Sequence, residues 1–364
     1  MLRLEMLPAE HGDALLLEYG KGTEVTHRTL VDGGPENAYA GVRRRLLEIP
    51  PAADGMRHLE LLVVSHVDAD HIDGVVKMLQ DDDLALSVGD VWFNDWNHLA
   101  TLEKAKRPDH LGPEAGEFLG ALLDMNGRPW NAAFGMAGVM VPEEPDEPLQ
   151  RWTTPGGLSL TVVSPTVDTL ITLRSNWKSA IEAAGFSPGD RTSAVRQFQS
   201  RRWAKAPEKL GDERRRDTLD HAEANASSIA LVAEFGGRRL LLGADAFADV
   251  LRAGLQRWLH EAGDPADGRV PLDAFKLPHH GSENNMTPQL MGVLASDDYL
   301  ISTNGKRFRH PNREAIDLVL AGHVRSKRPV LLFNYRTPYT RPWEHGDGYE
   351  SRYEAAAVLD LPTG

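Results

Sequence analysis

The sequence predicts an α/β protein in which helices cover two sheets, an αββα sandwich. Short apolar runs that end in ligand-type residues recur along the chain, and helical patterns lie between them. The clearest run, residues 61–64, is followed by four potential metal ligands within the six residues from His66 to His71. Two further runs end in the same way, before Asp245 and before His279.

The first part of the chain predicts strands, a helix and a ligand-bearing loop. Residues 1–34 are expected to form two strands joined by a polar hairpin at 20–23. An amphipathic helix is predicted at 38–49, because apolar residues and arginines follow helical spacing. The unit of strand, ligand loop and helix spans about 60–80, and a short strand follows at 87–93.

The region 95–220 is less regular and is predicted to be an inserted subdomain that contains one clear strand at 158–163. Within it, a run of Arg and Lys at 196–216 surrounds Trp203. Such a run can bind nucleic acid through phosphates and stacking. Acidic residues interrupt it, and they favour a solvated helical face instead. The aromatic residues at 92, 93, 96 and 130 are expected in the core.

The second half of the chain returns to regular alternation of strands and helices. Strands at 228–235 and 238–242 are joined by Gly236-Gly237, which is typical of a hairpin. A helix containing Leu251 and Trp258 follows. The remaining predicted elements are helices near 287–295 and 312–321 and strands at 298–303, 329–335 and 355–361.

Composition restricts the chemistry and the compartment. The chain has 364 residues, 41% of them apolar, and no Cys, so thiolate sites and disulfides are excluded. The net charge of −13 argues mildly against binding long nucleic acid through many phosphates. No signal-peptide core and no apolar run of about 18–20 residues is found, so we expect a cytoplasmic protein without membrane contact.

Ligand-type residues at several strand ends predict a metal site at one sheet edge. Asp32, Asp245 and the pair His279-His280 each follow a short apolar run. A strand holds the base of its loop rigidly, so such side chains can converge. Imidazole and carboxylate together suit a borderline or hard divalent cation such as Zn, Mn or Fe. A polar loop without function is the alternative, and these distant partners disfavour it.

The residues from 66 to 71 carry a family resemblance. They read His66-x-Asp68-x-Asp70-His71, which resembles the His-x-His-x-Asp-His signature of the metallo-β-lactamase-fold hydrolases with the second His replaced. That variant is similar to the branch that contains the hydrolase domain of the DNA-uptake protein ComEC and its stand-alone relatives.

Further motifs resemble the same branch, over roughly residues 1–95 and 220–335. They are Gly12-Asp13-Ala14, Val31-Asp32-Gly33-Gly34, Asn225-Ala226-Ser227, Pro278-His279-His280-Gly281-Ser282 and His310-Pro311. The resemblance implies a single metallo-β-lactamase-fold domain at 1–364, with the segment 95–220 as its family-specific insertion.

The resemblance implies that six side chains bind one or two divalent metal ions, Zn or Mn: His66, Asp68, Asp70, His71, Asp245 and His280. The first ion is expected on His66 and Asp68. The second is expected on Asp70, His71 and His280, and Asp245 is expected to bridge the two ions. Replacing the second motif His by Asp68 makes the first position harder and shifts the expectation towards Mn.

Two residues are expected to act in catalysis, Asp70 by orienting the nucleophile and His279 by facing the substrate. Neighbouring side chains on a strand point in opposite directions, so only one of the adjacent pair should bind metal. The resemblance favours His280. Asn225 stands where the family usually has another His, and His221 precedes it by four residues, so which of the two serves the first metal stays open.

Several further residues have two interpretations. Asp32 either orients a ligand His or stabilises its Gly-Gly turn. His310 either contacts a substrate phosphate or caps the helix that begins near Asn312. Ser282 and Asn284 hold either the substrate or only their own loop, and the loop interpretation is favoured. His11 either reaches the mouth of the site or is a plain turn residue, and the turn interpretation is favoured.

The expected activity is hydrolysis of a phosphodiester in a nucleic acid, a nucleotide or a phospho-conjugate, by a metal-activated hydroxide. The expected partner is a phosphate-containing substrate, including short nucleic acid, and protein partners cannot be inferred. A lactone, thioester or β-lactam hydrolase is the first alternative. A metal-binding module with little or no turnover is the second.

Overall fold

Two β-sheets with flanking helices make up the fold, which is described by a computed structural model for residues 1–100, 113–183, 187–201, 223–263, 268–354 and 357–361. Strands are numbered in chain order. The first sheet has six strands: β1 Leu2–Met6, β2 Leu15–Tyr19, β3 His27–Val31, β4 Arg57–Val63, β5 Leu86–Trp92 and β14 Ala357–Leu361. Their order is β14-β1-β2-β3-β4-β5. Strands β3, β4 and β5 run parallel, and the other neighbours run antiparallel.

The second sheet has eight strands in the order β13-β12-β11-β10-β9-β8-β7-β6. Their bounds are β6 Arg151–Thr153, β7 Ser159–Ser164, β8 Ala230–Phe235, β9 Arg238–Leu242, β10 Val270–Lys276, β11 Leu294–Ile301, β12 Val330–Phe333 and β13 Glu350–Tyr353. The strands from β9 to β13 are parallel, and those from β6 to β9 are antiparallel.

Helices follow or separate these strands. Their bounds are α1 Tyr39–Leu47, α2 Ala69–Leu79, α3 Trp96–Ala100, α4 Pro113–Met125, α5 Val167–Ala183, α6 Arg191–Arg201, α7 Ala248–Ala262, α8 Pro288–Met291 and α9 Arg313–Gly322.

Buried apolar residues form three clusters that place the sheets and helices relative to one another. One cluster combines residues of both sheets, such as Leu4 and Val63 of the first with Leu240 and Leu300 of the second. A second cluster joins the first sheet to α1, α2, α4 and α5. The third joins the second sheet to α7, α8 and α9. Alternate residues of a strand point to opposite faces, so each sheet contributes to two clusters.

Helix α2 packs directly on the turn after β3. A Cβ atom at Gly74 would lie 1.9 Å from the carbonyl oxygen of Gly33, so both positions require glycine. Gly33 N also donates to the carbonyl oxygen of His71 at 3.0 Å. This close approach brings the first turn of α2 against the end of β3, where Asp32 lies.

Most predicted elements are present, with shifted bounds, and the predicted division of residues 1–34 was wrong. Residues 1–34 form three strands rather than two, since the polar segment between β1 and β2 is a loop and 27–31 is a separate strand. Strand β11 begins at Leu294, four residues before the predicted start. The final strand was predicted at 355–361, and β14 pairs with β1 at the edge of the first sheet. Strands β6 and β13 had no prediction, because each is short and largely polar.

The described parts of the segment 95–220 share the main core. Phe118, Leu119 and Trp177 of α4 and α5 pack with the first sheet, and β6 and β7 extend the second. Of the aromatic residues expected in the core, those at 92, 93 and 130 are buried, and Trp96 is only partly buried against the same cluster. Most of the basic run, with Trp203, and His221 lie outside the described residues. Within the described ranges, no helix is both long enough and apolar enough to cross a bilayer.

Candidate metal centre

The candidate metal centre lies at the edge where strands of both sheets end. β3 and β4 are parallel neighbours, as are β9 and β10. The carboxyl ends of parallel strands meet at one edge of a sheet, where ligands usually bind. Asp32 follows β3, His66 follows β4, Asp245 follows β9 and His280 follows β10, so the topology delivers the predicted residues to one place.

The carboxylate of Asp245 is the point on which the histidines converge. Its Oδ2 lies 3.5 Å from His71 Nε2, 3.6 Å from His280 Nε2, 3.8 Å from His279 Nε2 and 4.0 Å from His66 Nε2. All four separations are longer than a hydrogen bond, which spans about 2.7–3.2 Å between nitrogen and oxygen. A gap therefore remains between Oδ2 of Asp245 and the four Nε2 atoms.

The gap fits a divalent cation. The Nε2 atoms of His66, His71 and His280 and Oδ1 of Asp245 are buried without a hydrogen-bond partner, which costs about 1–3 kcal/mol for each atom. Ligand atoms about 2.0–2.2 Å from one tetrahedral ion lie about 3.4 Å apart. The spacing around Oδ2 of Asp245 is close to that value, so an ion bound there would satisfy the three Nε2 atoms.

Three overlapping groups of side chains place ligand atoms within 4.8 Å of one another. They are His66 with His71 and Asp245, Asp70 with His71 and His280, and Asp13 with Asp245 and His280. His71 belongs to the first two groups, so the structure does not separate the residues expected on the first ion from those expected on the second. Asp68 joins none of the groups, but its Oδ2 lies 3.6 Å from His66 Nε2.

The charge around the centre also favours a cation. Burial opposes protonation of His71, but Asp245 and Asp32 outweigh it and raise the pKa of His71 well above its usual value. Against the same cost of burial, Asp245 and Asp13 raise the pKa of His280 to about 9. Burial also opposes ionisation of Asp245, yet His280 and His71 hold its pKa well below its usual range. The carboxylates thus attract positive charge into the centre.

Asp32 orients His71. Its Oδ2 lies 2.8 Å from His71 Nδ1 and accepts a 2.7 Å hydrogen bond from the hydroxyl of Ser65, while Oδ1 accepts from the Ser65 backbone N–H at 2.7 Å. A proton on Nδ1 directs the lone pair of Nε2 towards Asp245. The contact favours the orienting interpretation of Asp32 over a purely local turn role.

His280 is held from the opposite side. Its Nδ1 lies 2.9 Å from the carbonyl oxygen of Ser302 and 3.4 Å from Asp13 Oδ1. Its Nε2 lies 3.6 Å from Asp70 Oδ2. Asp13 in turn forms a buried ion pair with Lys276. Neither Asp13 nor Lys276 was expected at the centre, although an Asp beside Gly12 and a Lys within an apolar strand are sequence signals for them.

The expectation that His279 and His280 point in opposite directions was wrong. The two residues lie in a tight turn with positive φ values of 48° and 55°, not on a strand. Both Nε2 atoms therefore reach the same oxygen of Asp245. Their environments still differ, because the side chain of His279 is 25% exposed and that of His280 is 1% exposed. His279 Nδ1 lies 2.9 Å from Oδ1 of Asn285.

Asn225 and Asp70 each lie close to one of these histidines. Asn225 is buried, and its Nδ2 lies 3.5 Å from His279 Nδ1. It thus contacts a candidate catalytic residue. Asp70 lies in the first turn of α2 with its side chain 15% exposed. Burial opposes its ionisation, but His280 and His71 hold the pKa of Asp70 well below its usual value.

His310 lies beside the centre and does not cap the following helix. Its ring centroid is 5.4 Å from that of His279, and its Nδ1 contacts Oδ1 of Asn312 at 3.1 Å. Asn312 itself occupies the position before α9. Burial and the nearby His279 and His280 lower the pKa of His310 to about 3. A neutral imidazole can accept or donate one hydrogen bond at the mouth of the centre.

Ser282 and His11 make contacts of different kinds. Ser282 Oγ accepts a hydrogen bond from Asn284 N at 3.3 Å, which is a contact within the loop. The ring of His11 meets the edge of Phe308 at 5.7 Å. Burial lowers the pKa of His11 to about 4, although Asp70 opposes the shift.

Comparisons with known proteins give distant matches only. No family model matches this chain, and no curated protein matches it. Among solved structures, the chain is similar to a metallo-beta-lactamase with a HARLDQ motif from Cronobacter sakazakii, at a TM-score of 0.31 and 13% identity over 75% of this chain and 73% of that chain. An S60 mutant of that protein matches at 0.31 and 12%, over 72% of this chain and 70% of that chain. Likeness at this level carries no argument about chemistry.

Proposed function

We propose that this chain is a metal-dependent hydrolase of phosphodiesters in a nucleic acid, a nucleotide or a phospho-conjugate. The observation that carries the proposal is the convergence of buried, unpartnered Nε2 atoms on Asp245 at 3.5–4.0 Å. Structural polar clusters normally pair their buried atoms with one another. Here the atoms are spaced for a shared cation.

The residues that would hold one or two divalent ions are His66, Asp68, Asp70, His71, Asp245 and His280. Zn or Mn held there would supply a Lewis acid for a phosphoryl oxygen and lower the pKa of water. The donor set contains only imidazole and carboxylate, which admits both metals. Asp32 and Ser302 fix the two buried ring orientations through Nδ1.

Two partly exposed side chains at the rim are proposed to act on the substrate. Asp70 and His279 have 15% and 25% of their side chains exposed, whereas the other histidines of the centre are buried. His279 is held by Asn285 through Nδ1, and its Nε2 lies 3.8 Å from Asp245 Oδ2. We propose that Asp70 orients the attacking water and that His279 contacts the substrate.

The proposal extends to the fold and the setting. The three core clusters support four layers, which we propose to be an αββα sandwich of the metallo-β-lactamase type. On the motif resemblance alone, we propose a stand-alone form similar to the ComEC hydrolase branch. We propose one domain over 1–364 with 95–220 as its insertion, acting in the cytoplasm on a phosphate-containing substrate such as short nucleic acid, without membrane contact.

One observation favours a second candidate, a metal-binding module with little turnover. Asn225 stands where the resembled family has another His, and amides are poorer ligands than imidazole. Its Oδ1 is buried without a hydrogen-bond partner. A first ion held by fewer strong ligands would bind weakly and leave a single ion at the centre.

Metal analysis combined with a substrate screen tests the proposal. Purified protein is analysed for bound metal, stripped with a chelator, and reloaded with Mn, Zn or Fe. Each form is then assayed with bis(p-nitrophenyl) phosphate, a lactone, a thioester and a chromogenic β-lactam. Hydrolysis of the phosphodiester by Mn- or Zn-loaded protein supports the proposal. Bound metal without turnover of any substrate favours the module, and efficient lactone or thioester hydrolysis alone replaces the phosphodiester.

A further inference from the structure

We infer that residues 305–310, which we call the basic loop, bind the nucleotide next to the scissile phosphodiester of a short single-stranded oligonucleotide. The inference rests on the proposed function and names its substrate class. The loop reads Gly305-Lys306-Arg307-Phe308-Arg309-His310. It combines cations for phosphate with an aromatic ring for a base, which together are typical of single-strand binding.

The basic loop lies at the same edge as the metal centre. It follows β11, which is parallel to β10 and ends beside it. The loop is a closed turn, since Arg309 N donates to the carbonyl oxygen of Gly305 at 2.9 Å. Gly305 has a φ of 69°, and a Cβ atom there would lie 2.3 Å from Cβ of Tyr339. The base of the loop is thus packed closely on the fold.

Three cations of the basic loop are exposed and lack acidic partners. Lys306, Arg307 and Arg309 are exposed, and none forms an ion pair with any residue in the described ranges. Three unpaired cations within four residues therefore present a local positive surface, and single-stranded phosphates are a fitting counter-charge.

Ring contacts connect these cations to the metal centre. The Arg307 guanidinium lies 5.1 Å from the centroid of the Phe308 ring. The rings of Phe308 and His310 are stacked at 6.1 Å, and those of His310 and His279 lie 5.4 Å apart. His279 Nε2 reaches Asp245. The basic loop is thus connected to the centre through the rings of Phe308, His310 and His279.

The composition of the surface favours a single strand over a duplex. Bases in a duplex are already stacked on one another, so a protein ring such as that of Phe308 reaches only an unpaired base. One aromatic ring and three cations suit one or two nucleotides. The acidity of the whole chain repels the long phosphate track of a duplex beyond this patch.

The test is a binding measurement on full-length, metal-free protein, in which no hydrolysis interferes. Fluorescence anisotropy of a labelled short oligothymidylate is measured over a range of salt concentrations. The variant is Lys306→Gln/Arg307→Gln/Arg309→Gln. The matched control, Lys21→Gln/Lys327→Gln/Arg328→Gln, removes the same charge at turns that precede strands or join their opposite ends.

We expect the loop variant to bind at least about tenfold more weakly and to lower the salt slope by about 2, since each single-strand phosphate contact contributes about 0.7. The control is expected to stay within about twofold of wild type on the same grounds. Phe308→Leu should weaken binding about tenfold while keeping the charge, since stacking is lost. Equal binding by the loop and control variants overturns the inference, and so does a duplex that binds as tightly as the single strand.

The two proposals fail in different ways. In one outcome, wild type hydrolyses bis(p-nitrophenyl) phosphate and both triple variants bind oligothymidylate equally. That outcome rejects the basic loop as a binding site and keeps the proposed hydrolase activity. In the other outcome, only the loop variant loses oligothymidylate binding and wild type hydrolyses no phosphodiester. That outcome keeps the binding site and rejects the proposed hydrolase activity.

Discussion

Lys276 and Asp13 form an ion pair in which Nζ lies 2.6 Å from Oδ2 and both side chains are fully buried. Lys276 Nζ also donates to the carbonyl oxygen of Leu277 at 2.9 Å. The other oxygen of Asp13 lies 3.4 Å from His280 Nδ1. A buried cation is therefore connected through one carboxylate to a candidate metal ligand, and it balances part of the negative charge there.

Removing one partner of this pair should destabilise the protein. Lys276→Met leaves the Asp13 charge buried and uncompensated, so we expect a loss of about 3–5 kcal/mol in the free energy of unfolding. Urea denaturation of metal-free protein measures it. Lys77→Met is the control, since Lys77 pairs with Glu36, which is 65% exposed, and should cost less than about 1 kcal/mol. Similar losses in the two variants would contradict the importance of the buried pair.

Asp245 and His71 should be required for metal binding. Asp245→Ala removes the oxygen on which the histidines converge, and His71→Ala removes the ring shared by two ligand groups. Both variants are expected to lose metal and all hydrolysis. Elemental analysis after dialysis checks the first and a phosphodiester assay the second. His58→Ala, at a half-exposed residue paired with Asp54, serves as the control. Full metal content and activity in either variant would remove the site assignment.

His279 and His280 should separate turnover from metal binding. His280 is buried and held by Ser302, so His280→Ala is expected to lose metal. His279 is partly exposed, so His279→Ala should reduce kcat about 100-fold or more while metal content stays near wild type. Elemental analysis of both variants beside kcat measurements decides between them. The reverse pattern would mean that the two roles are exchanged.

Asp32 should set the affinity for metal without being a ligand. Asp32→Asn weakens the hold on His71 Nδ1, so we expect a loss of about 10–100-fold in metal affinity. Competition with a chromophoric chelator measures it. Asp90→Asn is the control, because Asp90 is another buried carboxylate whose oxygens accept backbone hydrogen bonds far from the ligand groups. An affinity equal to that of the control would leave Asp32 with its turn role alone.

Asp298 should make stability depend on pH. Burial is the main cause that raises its pKa to about 6, with a contribution from Asp297 and opposition from Arg352. The folded state thus holds the proton more tightly than the unfolded state, so stability falls as pH rises from about 4 through about 6. Asp298→Asn should gain stability relative to wild type at pH 8 and little at pH 4, as thermal unfolding would report.

The neighbouring residue, Asp297, should change the pH dependence of stability in the opposite direction. The hydrogen bond from Arg325 lowers the pKa of Asp297, so its ionised form stabilises the folded state. Asp297→Asn should therefore lose stability at neutral pH and lose less as the pH falls through the folded pKa. If both variants changed stability equally at every pH, titration of Asp298 would not be the cause.

Local pattern predicted the parts of the centre that are continuous in sequence. The apolar run of β4, the ligand loop and the helical spacing of α2 all lie within about 20 residues, so their periodicity could be read directly. The loops bearing Asp32, Asp245 and His280 were predicted for the same reason. Each follows a short apolar strand.

Features set by tertiary packing could not be predicted. The positive φ values at His279 and His280 come from the turn that packs between Asp245 and Ser302, and neither His signals them in the sequence. The role of Asp13 depends on Lys276, which lies more than 260 positions away. Strand β13 is polar and was missed because it lies at a sheet edge.

The division of the ligand residues between the two sheets has a consequence for assembly. Residues 66–71 follow β4 of the first sheet, and Asp245 and His280 follow β9 and β10 of the second. A cation bound by both sets would cross-link halves of the chain that are about 200 residues apart. Neither half alone offers the full set, so ion capture would come after the sheets dock. A bound ion would then slow the separation of the two sheets and stabilise the folded tertiary structure.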